Sequence, residues 1–168
     1  MKRIFLGFCA ALDRATTAAC FLAGVVLVVS ILVIVVLRYG FGMGFLRLQD
    51  LATYSFAIFL ILSLPVCLAR GGHVRVEVLS ERMSPRYLRI ADILALLFLL
   101  IPIFGLAIQA YWPELSYSWR IRERALETGG LPGLYLVKTV LPVAAALMIL
   151  QGIAAVLAPP AREASHDT

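Results

Sequence analysis

Arg70-Gly71-Gly72-His73-Val74-Arg75-Val76-Glu77-Val78-Leu79 is a compact polar island in a chain that is otherwise mostly oil. Two long apolar runs precede it and two follow it, so it divides the sequence into halves. It holds the one histidine outside the C-terminal tail, a Gly-Gly break, and two arginines and a glutamate set among valines. Outward from it lie four windows without Asp, Glu, Lys or Arg, at residues 15–37, 51–69, 93–113 and 139–161. Each is close to the ~20 residues a helix needs to cross the hydrocarbon. The runs are continuously apolar, whereas lipid-facing strands alternate with period two, so helices are expected.

Composition agrees. The 168 residues are 62% hydrophobic and 15% charged, whereas soluble domains are about 45–50% apolar and about 25% charged. The expected fold is an all-α integral membrane protein: one domain over residues 1–168, four transmembrane helices and short interfacial helices. The net charge of +5 contains no basic block and gives no nucleic-acid signal. The arginines stand singly at the ends of apolar runs, where they meet lipid headgroups and set topology. Cys9, Cys20 and Cys67 form no CxxC pair and read as small buried hydrophobes.

Residues 1–12, with Lys2 and Arg3 at their head, read as a short amphipathic lead-in at the cytoplasmic interface rather than a cleaved signal. Gly40, Gly42 and Gly44 break the chain between the first two windows. Ser84-Pro85 is a cap-and-N1 pair that starts the third helix near Pro85, ahead of the membrane. Val74, Val78, Leu79 and Met83 fall on one helical face, so residues 73–83 read as a helix lying flat in the interface. The rival strand alternation over residues 74–78 would have no partner. Residues 114–138 form the longest connection, with Trp119, Tyr117 and Tyr135 as an aromatic belt and Arg120, Arg122, Glu123, Arg124 and Glu127 as a solvated mixed-charge face. In the fourth window Pro142 falls in the first turn, and Ala144-Ala145-Ala146 and Gly152 either allow a close helix contact or are the small residues common in spans.

Lys and Arg number nine on the side of the termini and middle loop and six on the other. The positive-inside rule therefore puts both termini and His73 in the cytoplasm. No window holds an ionisable residue, and membrane ion and proton pathways are marked by such residues. A self-contained proton-coupled carrier and a small four-span drug exporter are thereby disfavoured. Haem ligation needs facing histidines, and only His73 and His166 exist, both outside the windows. No catalytic, cofactor-binding or metal-ligating set is expected; the chain reads as a helical module that binds other membrane proteins.

The wording then matches a family. Arg38-Tyr39 closing the first span, Asp50 opening the second, Arg70-Gly71-Gly72-His73-Val74-Arg75-Val76-Glu77 before the third and Gly129-Gly130-Leu131-Pro132-Gly133 before the fourth resemble the small membrane subunit, DctQ type, of tripartite ATP-independent periplasmic (TRAP) transporters. The family often has a tryptophan and paired glutamates before the second span; here that place reads Arg47-Leu48-Gln49-Asp50. The resemblance implies three things. The partners are a large multi-span permease subunit bearing substrate and sodium sites, and a periplasmic binding protein. The process is sodium-driven uptake of an organic acid such as a dicarboxylate across a bacterial inner membrane. This chain's role is that of a scaffold. The competing expectation is a free-standing four-helix membrane protein with a regulatory or assembly role.

Candidate contact or structural residues are Arg38, Tyr39, Asp50, Arg70, Gly71, Gly72, His73, Arg75 and Glu77. Arg38, Asp50 and Arg70 either anchor span ends at the interface or touch the partner subunit. His73 either hydrogen-bonds to seat the turn into the flat helix or meets the partner, with Gly71-Gly72 supplying the backbone freedom.

Overall fold

The computed structural model describes residues 2–70, 85–125 and 130–157. These form α1 (Lys2–Phe41), α2 (Leu46–Ala69), α3 (Pro85–Ala95), a π-helical segment (Leu96–Leu100), α4 (Ile101–Ile121) and α5 (Leu134–Leu157). Since α3, the π segment and α4 run on without a break, four helices are long and apolar enough to cross a membrane. The segment 71–84, and with it the expected flat helix over 73–83, lies outside the described residues.

Three expectations are corrected. The N-terminal lead-in is not a separate helix: residues 2–14 are the first turns of α1, whose 40 residues span roughly 60 Å at 1.5 Å per residue. Nothing between Lys2 and Gly40 interrupts helix formation, and Cys9 and Thr16 are buried against the bundle. The third helix starts at Pro85 as expected but continues to Ile121, so the connection it makes with α5 begins two turns later than the charge pattern implied. The first charges mark where the membrane ends, not where the helix ends. Pro142 is inside α5 rather than in its first turn, because α5 begins at Leu134, just after Gly133 at φ 109.

The π segment has a local cause. Pro102 has no N–H to give the carbonyl four residues back, and its ring crowds that carbonyl. The turn ahead of it widens, and Ile101 N–H bonds to the Leu96 carbonyl, a five-residue step. α1 ends where Gly42 takes φ 68 and Met43 N–H reaches back to the Leu37 carbonyl (3.0 Å).

α5 is the hub of the bundle. It packs against α2 on one side and α4 on the other, and more lightly against α1 and the π segment, while α1 packs along α2. The small residues of the fourth span do make a close contact: Ala144, Ala145, Gly152 and Ala154 are all buried. A Cβ added at Gly152 would lie 2.9 Å from methyls of both Leu96 and Leu100. Gly24 gives α1 the same kind of approach to Phe59 of α2 (3.2 Å). Cys20, Leu62 and Ala144 form the central core, with Ile58, Ile61, Val66 and Val140 around it. Outside this seam the helices are bare. Phe21, Leu22, Val28, Val29, Leu32 and Val36 of α1 are exposed, and no residue in the third span's apolar window is buried.

Candidate functional site: polar braces at the ends of the bundle

Among the described residues, the charged side chains that bond between elements collect at the two ends of the bundle, while in the core the Cys20 thiol of α1 donates to the Phe59 carbonyl of α2 (3.7 Å). At the end where α2 and α5 begin and α4 finishes, Lys138 in the second turn of α5 is the centre. Its Nζ donates to Glu114 Oε1 of α4 (2.8 Å), Glu123 Oε2 (2.7 Å) and Ser118 Oγ (3.1 Å). Ser118 is fully buried and donates to Glu123 Oε2 as well. The Lys138 ammonium, aided by the Ser118 hydroxyl, holds the Glu123 carboxyl below its ordinary range, because both donors favour the charged form. Glu123 reaches this place through a reversal at Arg122. That residue adopts the left-handed conformation (φ 48), and Glu123 N–H then returns to the Ser118 carbonyl (3.0 Å). Beside the cluster, Trp119 Nε1 donates to Thr139 Oγ1 (2.9 Å) and its ring meets Tyr135 edge-on at 4.8 Å.

The rest of the α4–α5 connection is strapped to α2. Leu131 N–H donates to Asp50 Oδ2 (2.8 Å). The Leu131 carbonyl accepts from Tyr54 Oη (3.0 Å) and from Ala125 N–H (3.2 Å). Asp50 and Tyr54 are one turn apart, so they stand on one helix face and grip both backbone groups of a single residue. Arg124 and Pro132 pair across the connection as an isolated bridge.

At the opposite end, Arg70 Nη2 bonds Thr17 Oγ1 of α1 (3.4 Å), and Gln151 Nε2 of α5 reaches the Cys9 carbonyl (3.4 Å). Asp13, one turn before Thr17, has its Oδ1 buried without a hydrogen-bond partner. Between the two ends, Ile61, Leu64, Phe104, Pro142, Ala145 and Met148 line an apolar cavity of about 90 Å³. Among the described residues, no group of three His, Cys, Asp or Glu is placed to hold a metal ion.

The residues singled out from the sequence therefore divide between the ends. Asp50 bonds the connection, as described. Arg38 and Tyr39 are exposed in the last turn of α1. Arg70 ties α2 to α1. Gly71, Gly72, His73, Arg75 and Glu77 lie outside the described residues. Sequence reading missed Tyr54, Ser118, Glu123 and Lys138. The signals were present: Tyr54 follows Asp50 by one turn, and Ser118 follows Glu114 by one turn, facing a lone lysine at the head of the last span.

Fold and site together define a four-span membrane protein whose described charged contacts tie its own helices and connection together. A family model described as "Tripartite ATP-independent periplasmic transporters, DctQ component" matches residues 27–159. The chain belongs to that family, a transporter component. No curated protein and no solved structure matches it.

Proposed function

We propose that the chain is the small permease subunit of a TRAP transporter and braces the large multi-span subunit during uptake. In this reading the large subunit carries the substrate and sodium sites. A periplasmic binding protein delivers an organic acid anion such as a dicarboxylate, and the sodium gradient drives transport. Both termini face the cytoplasm of a bacterial inner membrane, on the lysine and arginine distribution, and Lys138 lies at the outer end. The observation that carries the reading is the placement of charge. Inter-element ionic contacts among the described residues sit at the end of the bundle, joining helix to helix or connection to helix, and the mid-membrane cavity is apolar. A bundle tied in this way is braced to keep its shape under load. The wide apolar faces of α1 and the third span give a partner's helices and lipid surface to pack on. Family membership favours this over a free-standing regulatory protein.

Reconstitution tests it. Proteoliposomes holding this chain alone should take up none of the organic acid retained by the cognate binding protein. Adding the large subunit and the binding protein should give uptake that stops when the sodium gradient is collapsed. Transport by this chain alone, or a complete system indifferent to its omission, removes the bracing role. Orientation is checked separately with a membrane-impermeant thiol reagent: a cysteine at position 122 should label in intact cells and one at position 14 should not.

A further inference from the structure

We propose that the groove between α2 and α4 seats one acyl chain of a membrane phospholipid, an inference that does not depend on what the complete system transports. α2 and α4 each pack on α5 but scarcely on each other, so a furrow with α5 as its floor runs between them. The sequence hollows it. Ala107, Ala144 and Ala145 put single methyls in its lining. Pro142, also in the lining, has no N–H for the Lys138 carbonyl, so that turn of α5 lacks one helix bond. The space left is the apolar cavity of about 90 Å³.

Three observations name the occupant. The first is depth. Lys138 stands at the edge of the fourth charge-free window, with Leu141 three positions past it and Met148 ten. Those steps are about 4.5 and 15 Å along the helix, and half of a hydrocarbon core is about 15 Å thick. The groove therefore covers the depth of one leaflet's tails. The second is access. Leu64 and Leu141 at the rim are 51% and 42% exposed, whereas Ala144, Ala145 and Met148 at the bottom are buried. The groove opens sideways, and what stands beside it in a bilayer is hydrocarbon. At the Lys138 end, the α4–α5 connection is held by Lys138 at Glu123 and by Asp50 and Tyr54 of α2 at Leu131. It crosses from one wall to the other, so a chain enters from the side.

The third observation is the fit. Apolar cavities of about this order stay dry, and an empty one forfeits the dispersion contacts of its lining. A helix with its side chains is about 10–12 Å across, too wide for the space, whereas a flexible run of methylenes fits it. A helix laid across the rim would leave the bottom empty. The polar groups nearest the rim are committed within the chain: Lys138 to Glu114, Ser118 and Glu123, and Trp119 to Thr139. Recognition is therefore by the tail and not by the headgroup.

The test uses the full chain in nanodiscs of phosphatidylcholine doped with a phosphatidylcholine that carries a diazirine midway along one tail. Adducts formed on illumination are mapped by peptide mass spectrometry. Those at the groove, on residues 104–108 and 141–148, should saturate as the doped fraction rises. Those on the exposed face of α1, at Phe21, Val28 and Leu32, should rise in proportion to it. A phosphatidylglycerol with the same tail should label the groove equally. Ala107→Phe, which fills the groove, should abolish the groove adducts and spare those on α1. Leu106→Phe, at a neighbouring position that does not line the groove, should change neither. Groove adducts that rise in step with those on α1 reveal bulk lipid only and overturn the proposal, and this comparison needs no variant. Labelling by only one of the two headgroups, or groove adducts undiminished in Ala107→Phe, overturns it as well. The measurement is repeated on the complex with the large subunit. Groove adducts that persist there support the proposal. Adducts that vanish assign the groove to a side chain of that subunit, which overturns the proposal and leaves the bracing role standing.

Discussion

Replacing Lys138 by methionine tests the outer brace most directly. Methionine keeps an unbranched apolar stem in the helix and deletes the ammonium that Glu114, Ser118 and Glu123 share. The Lys138 and Glu123 side chains are 21% and 22% exposed, so their contact is largely shielded, whereas Glu114 is 55% exposed. A hydrogen bond to a charged group contributes about 1.5–3 kcal/mol, which puts the Glu123 contact near 2 kcal/mol. The Glu114 contact falls in the range of exposed pairs, about 0.5 kcal/mol. The expected loss is therefore about 2–3 kcal/mol, or roughly 5–10 °C in Tm for a chain of this size. Buried Cys9 and Cys20 serve as reporters in a thiol-reactive dye melt, once exposed Cys67 is changed to serine. Adding Glu123→Gln should recover part of the loss, since the variant no longer strands a largely shielded carboxylate. A Tm within about 2 °C of the natural chain, or a double variant no better than Lys138→Met, would refute the reasoning.

Three further outcomes are expected. The Glu123 carboxyl titrates below its ordinary 4.5 in the folded chain, so its contribution is complete above about 4.5 and is lost as pH falls through the lower folded value; Tm measured from pH 6 to pH 3 should therefore fall less steeply below pH 4.5 in Glu123→Gln. Asp50→Ala leaves the Leu131 N–H without its acceptor and Tyr54→Phe removes one donor to the Leu131 carbonyl; each should cost about 1 kcal/mol and speed proteolysis within residues 122–133, and unchanged cleavage by either would show that the strap is held by other contacts. Gly152→Leu drives a side chain into the space of Leu96 and Leu100 and should cost about 1–3 kcal/mol in the dye melt, while Gly152→Ala, which gains about 1 kcal/mol of helix propensity and displaces only flexible methyls, should lie near the natural chain.

The four spans were legible because lipid demands long apolar helices and the charge-free windows announce them. The helix ends were not, because charge marks the level of the headgroups and a helix is free to run past it. α4 continues through Glu114, Ser118 and Arg120 on ordinary helix propensity, and α1 starts at Lys2 although its apolar window starts at Ala15. Asp50 was found because an acid opening a span stands out against apolar surroundings. Its partner was hidden, because the group it holds is the main-chain N–H of a leucine and backbone donors have no residue type. The Lys138 cluster was hidden for another reason. Glu114, Glu123 and Lys138 come from three separate places in the chain, and only the left-handed turn at Arg122 brings Glu123 back to the other two.

The fold also explains why both ends are tied. Lipid is as apolar as leucine, so helices in a membrane gain little from hydrophobic burial and associate by close packing and polar contacts. The third span is the extreme case, since no residue in its apolar window is buried and its described contacts are chiefly with α5. Two of those contacts lie far apart along α5: Gly152 against Leu96 and Leu100 near one end, and Lys138 with Glu114 and Ser118 near the other. Fourteen positions separate Lys138 from Gly152, or about 21 Å of helix, a lever arm long enough that loosening one contact leaves the other as a pivot. Pro102 contributes to this arrangement, because the widened turn ahead of it contains both Leu96 and Leu100. If the third span is held at two points, Lys138→Met and Gly152→Leu should be more damaging together than the sum of their separate effects, because either contact alone still limits the swing of the helix and neither remains in the double variant. Strictly additive Tm losses would mean that the third span is held along its length, and the two-point account would then be wrong.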